Sequence, residues 1–599
     1  MQRSGGLGNK FRREEQKVKI SQLKSSDLKV MAKYLKKYRF LIAGLGIITI
    51  LLIFFDLLPP YFSRFIIDNS IKEKNINNLI FYSSLFIISY FFHWIFVYLQ
   101  TRFGVWLGQK IVYGLREEIN DHILYQSMEF HSKNKKGELL SIITNDVNAI
   151  EESITTGVIN TISDLFTIIG VVIFMMLMSV KLTLISLIIS PCIYFILSYL
   201  GKSIRKAFAA VRMQIARLNA NVEENMSGIR VVKALVAEKR NRRDFEDISE
   251  MNFQANMKTV HLFAMLFSIM SILNSISIIL LLGFGGYWTI KGVLSIGVLV
   301  AFLQYNRKLF APLRDLSQVV NIFQSAAASI IRIAGYLNTP IKLKDSLNPV
   351  KIEFPVDGNL KIRDIDFQYE SVPLFSQFNL NVKSGEKIGI VGETGAGKST
   401  LINLITRLYE IKKGSILIDS YDIRQIKNSD LRKIISLVSQ NPILFADSIL
   451  NNIRFGNPGA TDEEVINAAK LTQVHDVVQK FPDKYDTILG EEGIGLSGGQ
   501  KQLIAYTRMV LADPVIVILD EATANLDSYT ENIIQENMKK LLREKTTLII
   551  AHRFATLQIV DRIIVLDKGK LIAEGPHDVL LNDVLYYKEL YERQFVGNR

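Results

Sequence analysis

Six apolar stretches dominate the hydrophobic pattern of the first 312 residues. Each approaches the roughly twenty residues that a helix needs to cross a hydrocarbon core of about 30 Å. They lie at 40–62, within 75–101, at about 158–180, at 182–200, from 262 to about 283, and from 294 to about 312. The sixth is the weakest, because it contains Arg307 and Lys308. The pattern predicts an all-α membrane domain of six helices.

The segments around these stretches are basic. Residues 1–39 carry twelve Lys or Arg, and the connections 101–157 and 201–260 carry six and twelve. Because basic residues concentrate in cytoplasmic loops, both termini and both long connections are predicted to be cytoplasmic. Structureless loops of this length are uncommon, so the membrane helices are predicted to continue into the cytoplasm as stalks.

The character of the chain changes after residue 337. Residues 338–350 resemble a linker, and from residue 351 short β-rich runs alternate with helical ones, as in a doubly wound α/β domain. The predicted architecture is therefore multidomain. A basic N-terminal arm (1–30) precedes a six-helix transmembrane domain (31–337), and the linker leads to an α/β domain (351–599). The segment GETGAGKST in that domain fits G-x-x-x-x-G-K-[ST], which indicates the P-loop NTPase class.

Composition narrows the function classes further. A hydrophobic content of 49% together with a mean hydropathy of +0.20 makes the chain of 599 residues too apolar on average for a wholly soluble protein. The formal charge of +13 is compatible with a nucleic acid partner or with an anionic lipid surface, and does not separate them. A single cysteine, Cys192, excludes an internal disulfide framework and a multi-cysteine metal site.

A phosphate-binding loop follows the apolar run EKIGIV and precedes the apolar helix pattern LINLITRLY. The loop reads GETGAGKST, and its nine residues are Gly392, Glu393, Thr394, Gly395, Ala396, Gly397, Lys398, Ser399 and Thr400. Glycines let backbone N–H groups turn toward phosphate oxygens, and the helix N-terminus adds partial positive charge. Lys398 is predicted to reach the terminal phosphates, and Ser399 to offer its hydroxyl to Mg²⁺.

Two carboxylates end a second apolar run, VIVILDE at 515–521. A buried parallel strand that ends in acids delivers them to the carboxyl edge of the sheet, where nucleotides bind. Asp520 is predicted to hold Mg²⁺, directly or through water, and Glu521 to polarise the attacking water.

A second glycine-rich turn, LSGGQ at 496–500, opens another predicted helix. Ser497, Gly498, Gly499 and Gln500 would form a second anion-binding helix end. Either both ends grip one nucleotide within a chain, or two chains pair head to tail so that each ATP lies between the loop of one and the LSGGQ of the other. The paired arrangement is favoured; the alternative without a ligand is an ordinary N-capped helix whose glycines permit close packing.

Together these motifs resemble, over residues 30–595, a half-transporter of the ATP-binding cassette family, exporter type. GETGAGKST is similar to its Walker A motif, LSGGQ to its signature, VIVILDE to Walker B and ANLD (524–527) to its D-loop. The resemblance implies ATP and Mg²⁺ as cofactors. It also implies three further site residues: Gln440 as the glutamine that contacts metal or water, His552 as the switch histidine, and Tyr369 as the aromatic that stacks on adenine.

Two positions in the signature helix depart from the family pattern. Leu503 and Tyr506 stand where arginine and alanine-like residues are common. The catalytic set that the resemblance implies, Glu521, His552, Lys398 and Gln440, is complete.

The resemblance implies ATP-driven export or flipping of hydrophobic or amphiphilic compounds by alternating access. The protein would be a dimer, with an identical or related second half, in the cell membrane of a prokaryote. The residues alone leave open an importer with the same architecture, and a cassette ATPase that acts on nucleic acid, although the apolar spans argue against the latter. Four ionisable residues in or near the spans are candidates for cargo contact: Asp56, His93, Asp164 and Arg307.

Overall fold

The computed structural model describes residues 24–593, except for positions 344, 347, 370–371, 491–492, 494, 521–539 and 552–556. The chain divides into two units. The first contains the residues up to 124 together with 136–340, and the second contains 125–135 together with the residues from 341 onward.

The described part of the chain up to residue 337 is helical. Its helices are α1 (Ser25–Lys37), α2 (Arg39–Phe65), α3 (Ile76–Leu124), α4 (Met128–Lys133), α5 (Lys136–Ser141), α6 (Val147–Glu152), α7 (Ile159–Met178), α8 (Val180–Leu187), α9 (Ser190–Ser227), α10 (Ile229–Ala234), α11 (Glu238–Ile290), α12 (Ile296–Phe310) and α13 (Pro312–Leu337). Turns of π-helix at Ile66–Ile71, Ile142–Asp146 and Ser153–Val158 continue neighbouring helices. The short helix α4 belongs to the second unit.

Among the described residues, five helical segments are long and apolar enough to cross a membrane. They are Arg39–Ile71, Ile76–Leu124, Lys136–Met178, Val180–Ser227 and Glu238–Ile290. The first five predicted spans are therefore confirmed by length and composition. The sixth coincides with α12, which has 15 residues and is followed after Ala311 by α13.

The predicted stalks are confirmed as helices. Helix α3 has 49 residues and α11 has 53, so each extends for more than about 70 Å at 1.5 Å per residue. That length is more than twice the roughly 30 Å of a hydrocarbon core. The long polar connections of the sequence are thus continuations of the membrane helices.

A buried ion pair fixes the end of α13 in the first unit. Nε of Arg332 donates to Oδ2 of Asp146 at 2.9 Å, and the guanidinium also bonds Oδ1. The hydroxyl of Ser329 donates to Oδ1 at 2.8 Å. Asp146 is only 4% exposed, so its carboxylate depends on these donors.

We expect Arg332→Met to destabilise the first unit by about 2–3 kcal/mol, since it leaves the Asp146 carboxylate buried without its cation. The figure lies at the low end for a buried pair because the Arg332 side chain is 43% exposed. The measurement is the thermal unfolding midpoint of the purified protein. The matched control is Arg242→Met, which removes an exposed pair with Glu246 and should change stability by less than about 1 kcal/mol. Equal midpoints for both variants would contradict the assignment.

The described residues of the second unit form two sheets. Its strands are β1 (Leu360–Tyr369), β2 (Val372–Val382), β3 (Lys387–Val391), β4 (Lys413–Ile418), β5 (Tyr421–Asp422), β6 (Ile435–Val438), β7 (Ile516–Asp520), β8 (Thr546–Ile550), β9 (Arg562–Asp567) and β10 (Lys570–Gly575). One sheet is antiparallel, in the order β2-β1-β4-β5. The other has the order β10-β9-β3-β8-β7-β6 and is parallel except for β10.

Helices pack on these sheets around a core of buried Ile, Leu and Val. The helices are α14 (Lys398–Ile405), α15 (Asn428–Ile434), α16 (Ile449–Arg454), α17 (Asp462–Leu471), α18 (Val474–Val478), α19 (Gly498–Ala512), α20 (His577–Asp583) and α21 (Leu585–Tyr591). Strands β3, β7 and β8 are almost fully buried, which explains their uninterrupted apolar sequences. The predicted α/β domain is confirmed.

Candidate nucleotide site

The register of the parallel sheet aligns the strand ends that carry the predicted site. Ile390 of β3 pairs with Ile550 of β8, and Ile550 pairs with Asp520 of β7. Strands lie about 4.8 Å apart, so Asp520 lies about 10 Å from the last residues of β3, where the GETGAGKST loop begins. The next strand, β6, ends at Val438, which pairs with Leu519, the residue before Asp520, and Gln440 follows two residues later. One edge of the sheet therefore gathers the phosphate loop, Asp520 and Gln440.

The phosphate loop is held close to the strand beside it. A Cβ atom on Gly392 would lie 2.3 Å from the carbonyl oxygen of Leu566, so only glycine fits this approach. The N–H of Gly569 donates to the carbonyl of Ala396 at 3.0 Å. Gly397, with φ +104°, is the N-cap of α14 in the left-handed region that favours glycine. The two flanking glycines thus permit the turn that aims the loop at the helix N-terminus.

Lys398 lies inside this loop. Its ammonium group donates to the carbonyls of Gly392 at 2.6 Å and of Glu393 at 3.1 Å, and its side chain is buried. Ser399 is exposed in the first turn of α14, whereas Thr400 is buried. Glu393, Thr394 and Gly395 form the exposed rim of the loop. The structure thus places the Lys398 ammonium within the ring of backbone groups that the motif predicts.

Tyr369 lies beside the same helix. Its hydroxyl donates to Oγ1 of Thr400 at 3.2 Å, and its ring is 37% exposed. Tyr409 packs perpendicular to it, with ring centroids 5.4 Å apart. Because the ring is open to solvent next to the phosphate loop, it offers a face on which a base can stack. No sequence motif pointed to Tyr409, which follows α14 by four residues.

The LSGGQ turn opens a helix, as the sequence predicts. Ser497 is the N-cap of α19: its Oγ accepts from the N–H of Gln500 at 3.3 Å, and its own N–H donates to Oε1 of Gln500 at 2.9 Å. This reciprocal pair is a capping box. Ser497 and Gly498 are exposed, Gly499 is buried, and a Cβ on Gly498 would meet no atom within 4 Å. The N-terminus of α19 is therefore accessible.

The two departures from the family pattern in α19 are core residues. Leu503 is 4% exposed and Tyr506 is 3% exposed, and both pack in the apolar core between α16, α17 and α19. Burial raises the pKa of Tyr506, so its hydroxyl stays neutral at any physiological pH. These departures change packing and leave the exposed start of α19 intact.

Arg508 joins α19 to the segment that follows Gln440. Its guanidinium donates to the carbonyls of Ile443 at 2.8 Å and of Asn452 at 2.6 Å, and to Oδ1 of Asn452 at 2.8 Å. It also lies over the rings of Phe445 and Phe455. Desolvation lowers the pKa of Arg508 to about 10, which leaves it charged at neutral pH. No motif or spacing in the sequence marks Arg508 as part of the site.

We expect Arg508→Met to lower stability by about 2–4 kcal/mol and to reduce ATP hydrolysis, since two backbone carbonyls lose a charged donor and the Gln440 segment loses its attachment to α19. Thermal unfolding and ATP turnover of the purified protein are the measurements. Arg508→Lys should recover only part of both losses, because an ammonium cannot reproduce the fork of the guanidinium. Full activity in the methionine variant would show that the attachment has no role.

Two predicted catalytic residues, Glu521 and His552, lie outside the described residues, as does the ANLD segment. Asp520 is described and is partly buried at the end of β7. Within the described part of the chain, no cluster of three His, Cys, Asp or Glu could hold a metal by itself. The predicted Mg²⁺ ligands Ser399, Gln440 and Asp520 are instead a hydroxyl, an amide and a carboxylate, all oxygen donors of the kind that Mg²⁺ prefers.

In the first unit the structure brings together two of the four ionisable candidates for cargo contact. Asp56 contacts His93, and the cation that joins them is Lys308 rather than the neighbouring Arg307, which is exposed. Helical spacing could have shown which of the two cations, Arg307 or Lys308, lies next to the buried face of α12. The buried stripe of α12 runs through Ala301, Tyr305 and Leu309, and position 308 borders it.

Comparisons with known proteins match both halves of the chain. Residues 42–313 match the profile of the ABC transporter transmembrane region, and residues 375–524 match the ABC transporter profile. An uncharacterized ABC transporter ATP-binding protein of Bacillus subtilis, YfiC, is 35% identical over 568 residues, which cover 94% of this chain and 93% of that protein. An ATP-dependent lipid A-core flippase of Syntrophus aciditrophicus is 35% identical, with 83% of each chain covered.

A further relative is the putative multidrug export ATP-binding/permease protein YgaD of Bacillus subtilis. It is 33% identical, over 83% of this chain and 86% of that protein. Among solved structures, a bacterial Atm1-family ABC exporter with ATP bound superposes with a TM-score of 0.76 at 25% identity, covering 93% of this chain and 99% of that one.

Proposed function

Because this chain belongs to the ATP-binding cassette transporter family and is an exporter-type half-transporter with an ATPase domain, we propose that it exports or flips amphiphilic compounds as a dimer. It is a multi-pass membrane protein. The proposed location is the cytoplasmic membrane of a prokaryote, with both termini and the ATPase domain in the cytoplasm. The basic connections support that orientation, and the names of the multidrug and lipid A relatives support a hydrophobic cargo.

In the proposed site the phosphate loop and Lys398 hold the ATP phosphates, and Tyr369 stacks on the base. Ser399, Gln440 and Asp520 would hold Mg²⁺, which supplies charge neutralisation at the phosphates when bound. We assign Glu521 to polarising the attacking water, and His552 to the role of switch histidine that the resemblance to the family implies. The phosphate loop, Asp520 and the end of β6 that precedes Gln440 share one edge of the parallel sheet, which supports this assignment.

The exposed N-terminus of α19 is the observation that supports a dimer. The start of α19, at Ser497 and Gly498, is exposed and open beside Gly498, although it is capped and oriented as an anion-binding end. We assign it to the ATP held by a second chain, so that nucleotide lies between two polypeptides. Closure of the pair around ATP then drives the membrane helices from inward-facing to outward-facing, and hydrolysis resets them.

The exposed surface around α10, between the long helices α9 and α11, also supports contact with a partner chain. Helix α10 has no buried residue, and its flanks expose Met226 (71%), Leu235 (72%) and Val236 (80%). Large apolar side chains clustered at a polar tip indicate a protein contact. A second copy of this chain is the simplest partner.

Flux in inside-out membrane vesicles tests direction and coupling together. With ATP outside, a fluorescent amphiphile should accumulate in vesicles that contain the protein and not in vesicles with Lys398→Ala. Accumulation only in right-side-out vesicles that are loaded with ATP, whose lumen faces the ATPase domain, would support the importer instead. Absence of ATP-dependent flux in either orientation, with ATP hydrolysis intact, would contradict transport of amphiphiles.

A further inference from the structure

Three ionisable side chains from three helices of the first unit meet within the apolar spans. Nζ of Lys308 (α12) lies 2.6 Å from Oδ1 of Asp56 (α2), and Nδ1 of His93 (α3) lies 3.6 Å from the same oxygen. Each side chain is about one quarter exposed, so the cluster is accessible from outside the protein. We call Asp56, Lys308 and His93 the charged triad. Ionisable groups at such positions are costly and mark functional sites.

The charged triad has unused bonding capacity among the described residues. Nδ1 of His93 is buried and has no hydrogen-bond partner there, and the contacts of Asp56 with Lys308 and His93 both converge on Oδ1 and leave Oδ2 open. Pro59 and Pro60 lie inside α2 and lack the N–H groups that would bond the carbonyls of Phe55 and Asp56. This part of α2 therefore offers several acceptors for a ligand with N–H groups.

Apolar surfaces flank the charged triad. The ring of Phe55 stacks on Phe92 at 5.1 Å and on Phe96 at 5.5 Å, between α2 and α3. On the other side of α2, Phe54 and Leu57 line an apolar cavity of about 180 Å³ that extends to α7. The tail of an amphiphile whose headgroup lies at the triad would therefore meet apolar side chains on either side of α2.

The pairing of Asp56 with Lys308 determines which charges a ligand headgroup must carry. A monocation that takes Asp56 would leave the ammonium of Lys308 unpaired in an apolar environment, and a monoanion that takes Lys308 would leave Asp56 unpaired. A zwitterion that carries an ammonium and a phosphate replaces one internal ion pair by two external ones. The ammonium bonds Asp56 and the freed carbonyls, and the phosphate bonds Lys308 and His93.

We propose that the charged triad binds the zwitterionic headgroup of an amphiphile that bears a primary ammonium and a phosphate. The proposal rests on the proposed function, because it names the cargo chemistry of that transporter. Binding opens the Asp56–Lys308 pair, which joins α2 to α12 three residues before the break at Ala311. The hydroxyl of Tyr305, which donates to the carbonyl of Leu57 at 2.7 Å, keeps α12 attached to α2 meanwhile.

Three amphiphiles with the same tail separate the alternatives: dodecylphosphoethanolamine, dodecylammonium and dodecyl phosphate. The measurement is competition of each against a fluorescent dodecylphosphoethanolamine for binding to the dimer in nanodiscs of phosphatidylglycerol. We expect the zwitterion to bind at least about tenfold more tightly than either ion, which corresponds to about 1.4 kcal/mol. Phosphoethanolamine without a tail separates a soluble headgroup ligand from an amphiphile, and should compete weakly.

Single variants should reverse the selectivity, which a purely structural pair would not do. Asp56→Asn leaves a lone cation and should favour dodecyl phosphate, whereas Lys308→Met leaves a lone carboxylate and should favour dodecylammonium. Arg307→Gln changes the neighbouring cation outside the charged triad and should keep the preference for the zwitterion. Because the readout is a ratio of affinities, a lower yield of folded protein does not affect it.

If the single variants do not fold, Asp56→Asn/Lys308→Met decides, since it removes both charges together and leaves no unpaired ion. It should bind the three amphiphiles with similar affinity. Equal binding of the three by the unmodified protein, or a retained zwitterion preference in the double variant, would overturn the proposal. ATP-dependent flux of some other amphiphile would still stand in that case, so failure of the triad and failure of the transporter are distinguishable.

Discussion

Glu521→Gln is expected to bind ATP normally and to lose nearly all turnover. The glutamine keeps the size of the side chain and removes the carboxylate that accepts a proton from the attacking water, a loss worth about 10²- to 10⁴-fold. Phosphate loop, Lys398 and Asp520 remain, so nucleotide affinity is retained. Since ATP is then held without being hydrolysed, the two chains should stay closed around it.

Three quantities are measured: ATP turnover, nucleotide binding, and the fraction of closed dimer. The last is obtained by cysteine crosslinking or small-angle scattering. Glu463→Gln is the matched control, because Glu463 is exposed in the first turn of α17 on the same unit. It should behave as the unmodified protein does. Turnover of the Glu521 variant within a few-fold of normal would show that another group activates the water.

Ser497→Arg is expected to reduce hydrolysis by roughly 10²-fold, the effect typical of losing one oxyanion donor. The exposed N-cap of α19 would carry a long side chain where the phosphates of the second chain's ATP should lie. The chain itself should fold, because loss of an N-cap costs only about 1 kcal/mol and open space surrounds this helix start. ATP binding by the phosphate loop should persist.

Thr461→Arg is a close control for this variant. Thr461 is also an exposed N-cap with a capping box, to Glu464 at the start of α17, and it lies in the same unit. Both substitutions remove the same kind of cap and add the same side chain. Equal loss of activity in the two would attribute the effect to helix stability and remove the support for a shared site.

Local sequence rules predicted the loop, the strand ends and the helix start of the candidate nucleotide site, because each of these parts is a short continuous segment of the chain. The glycine spacing predicted the loop at 392–397. Apolar runs that end in polar residues predicted the strand ends at Asp520 and Gln440. Parallel pairing then aligned those ends without further information. The capping box of Ser497 and Gln500 also follows from four adjacent residues.

Contacts between distant segments were not predictable in the same way. In the sequence, Arg508 is a basic residue within a largely apolar helix pattern. Only the fold brings the carbonyls of Ile443 and Asn452 to its guanidinium. Lys308 differs from Arg307 by one position, and its partner Asp56 lies 252 residues earlier, a pairing set by the packing of α2 against α12. The ion pair of Asp146 with Arg332 has the same origin.

The central claim is that each ATP lies between two chains, and complementation tests it directly. Lys398→Ala disables the phosphate loop, and Ser497→Arg disables the signature end. Two chains with different affinity tags allow purification of mixed dimers in which these changes lie either on one chain or on opposite chains. If sites are shared, changes on opposite chains leave one intact site and hydrolysis persists, whereas both changes on one chain abolish it. Hydrolysis by the mixed dimer with both changes on one chain, and none when they are on opposite chains, would contradict the account.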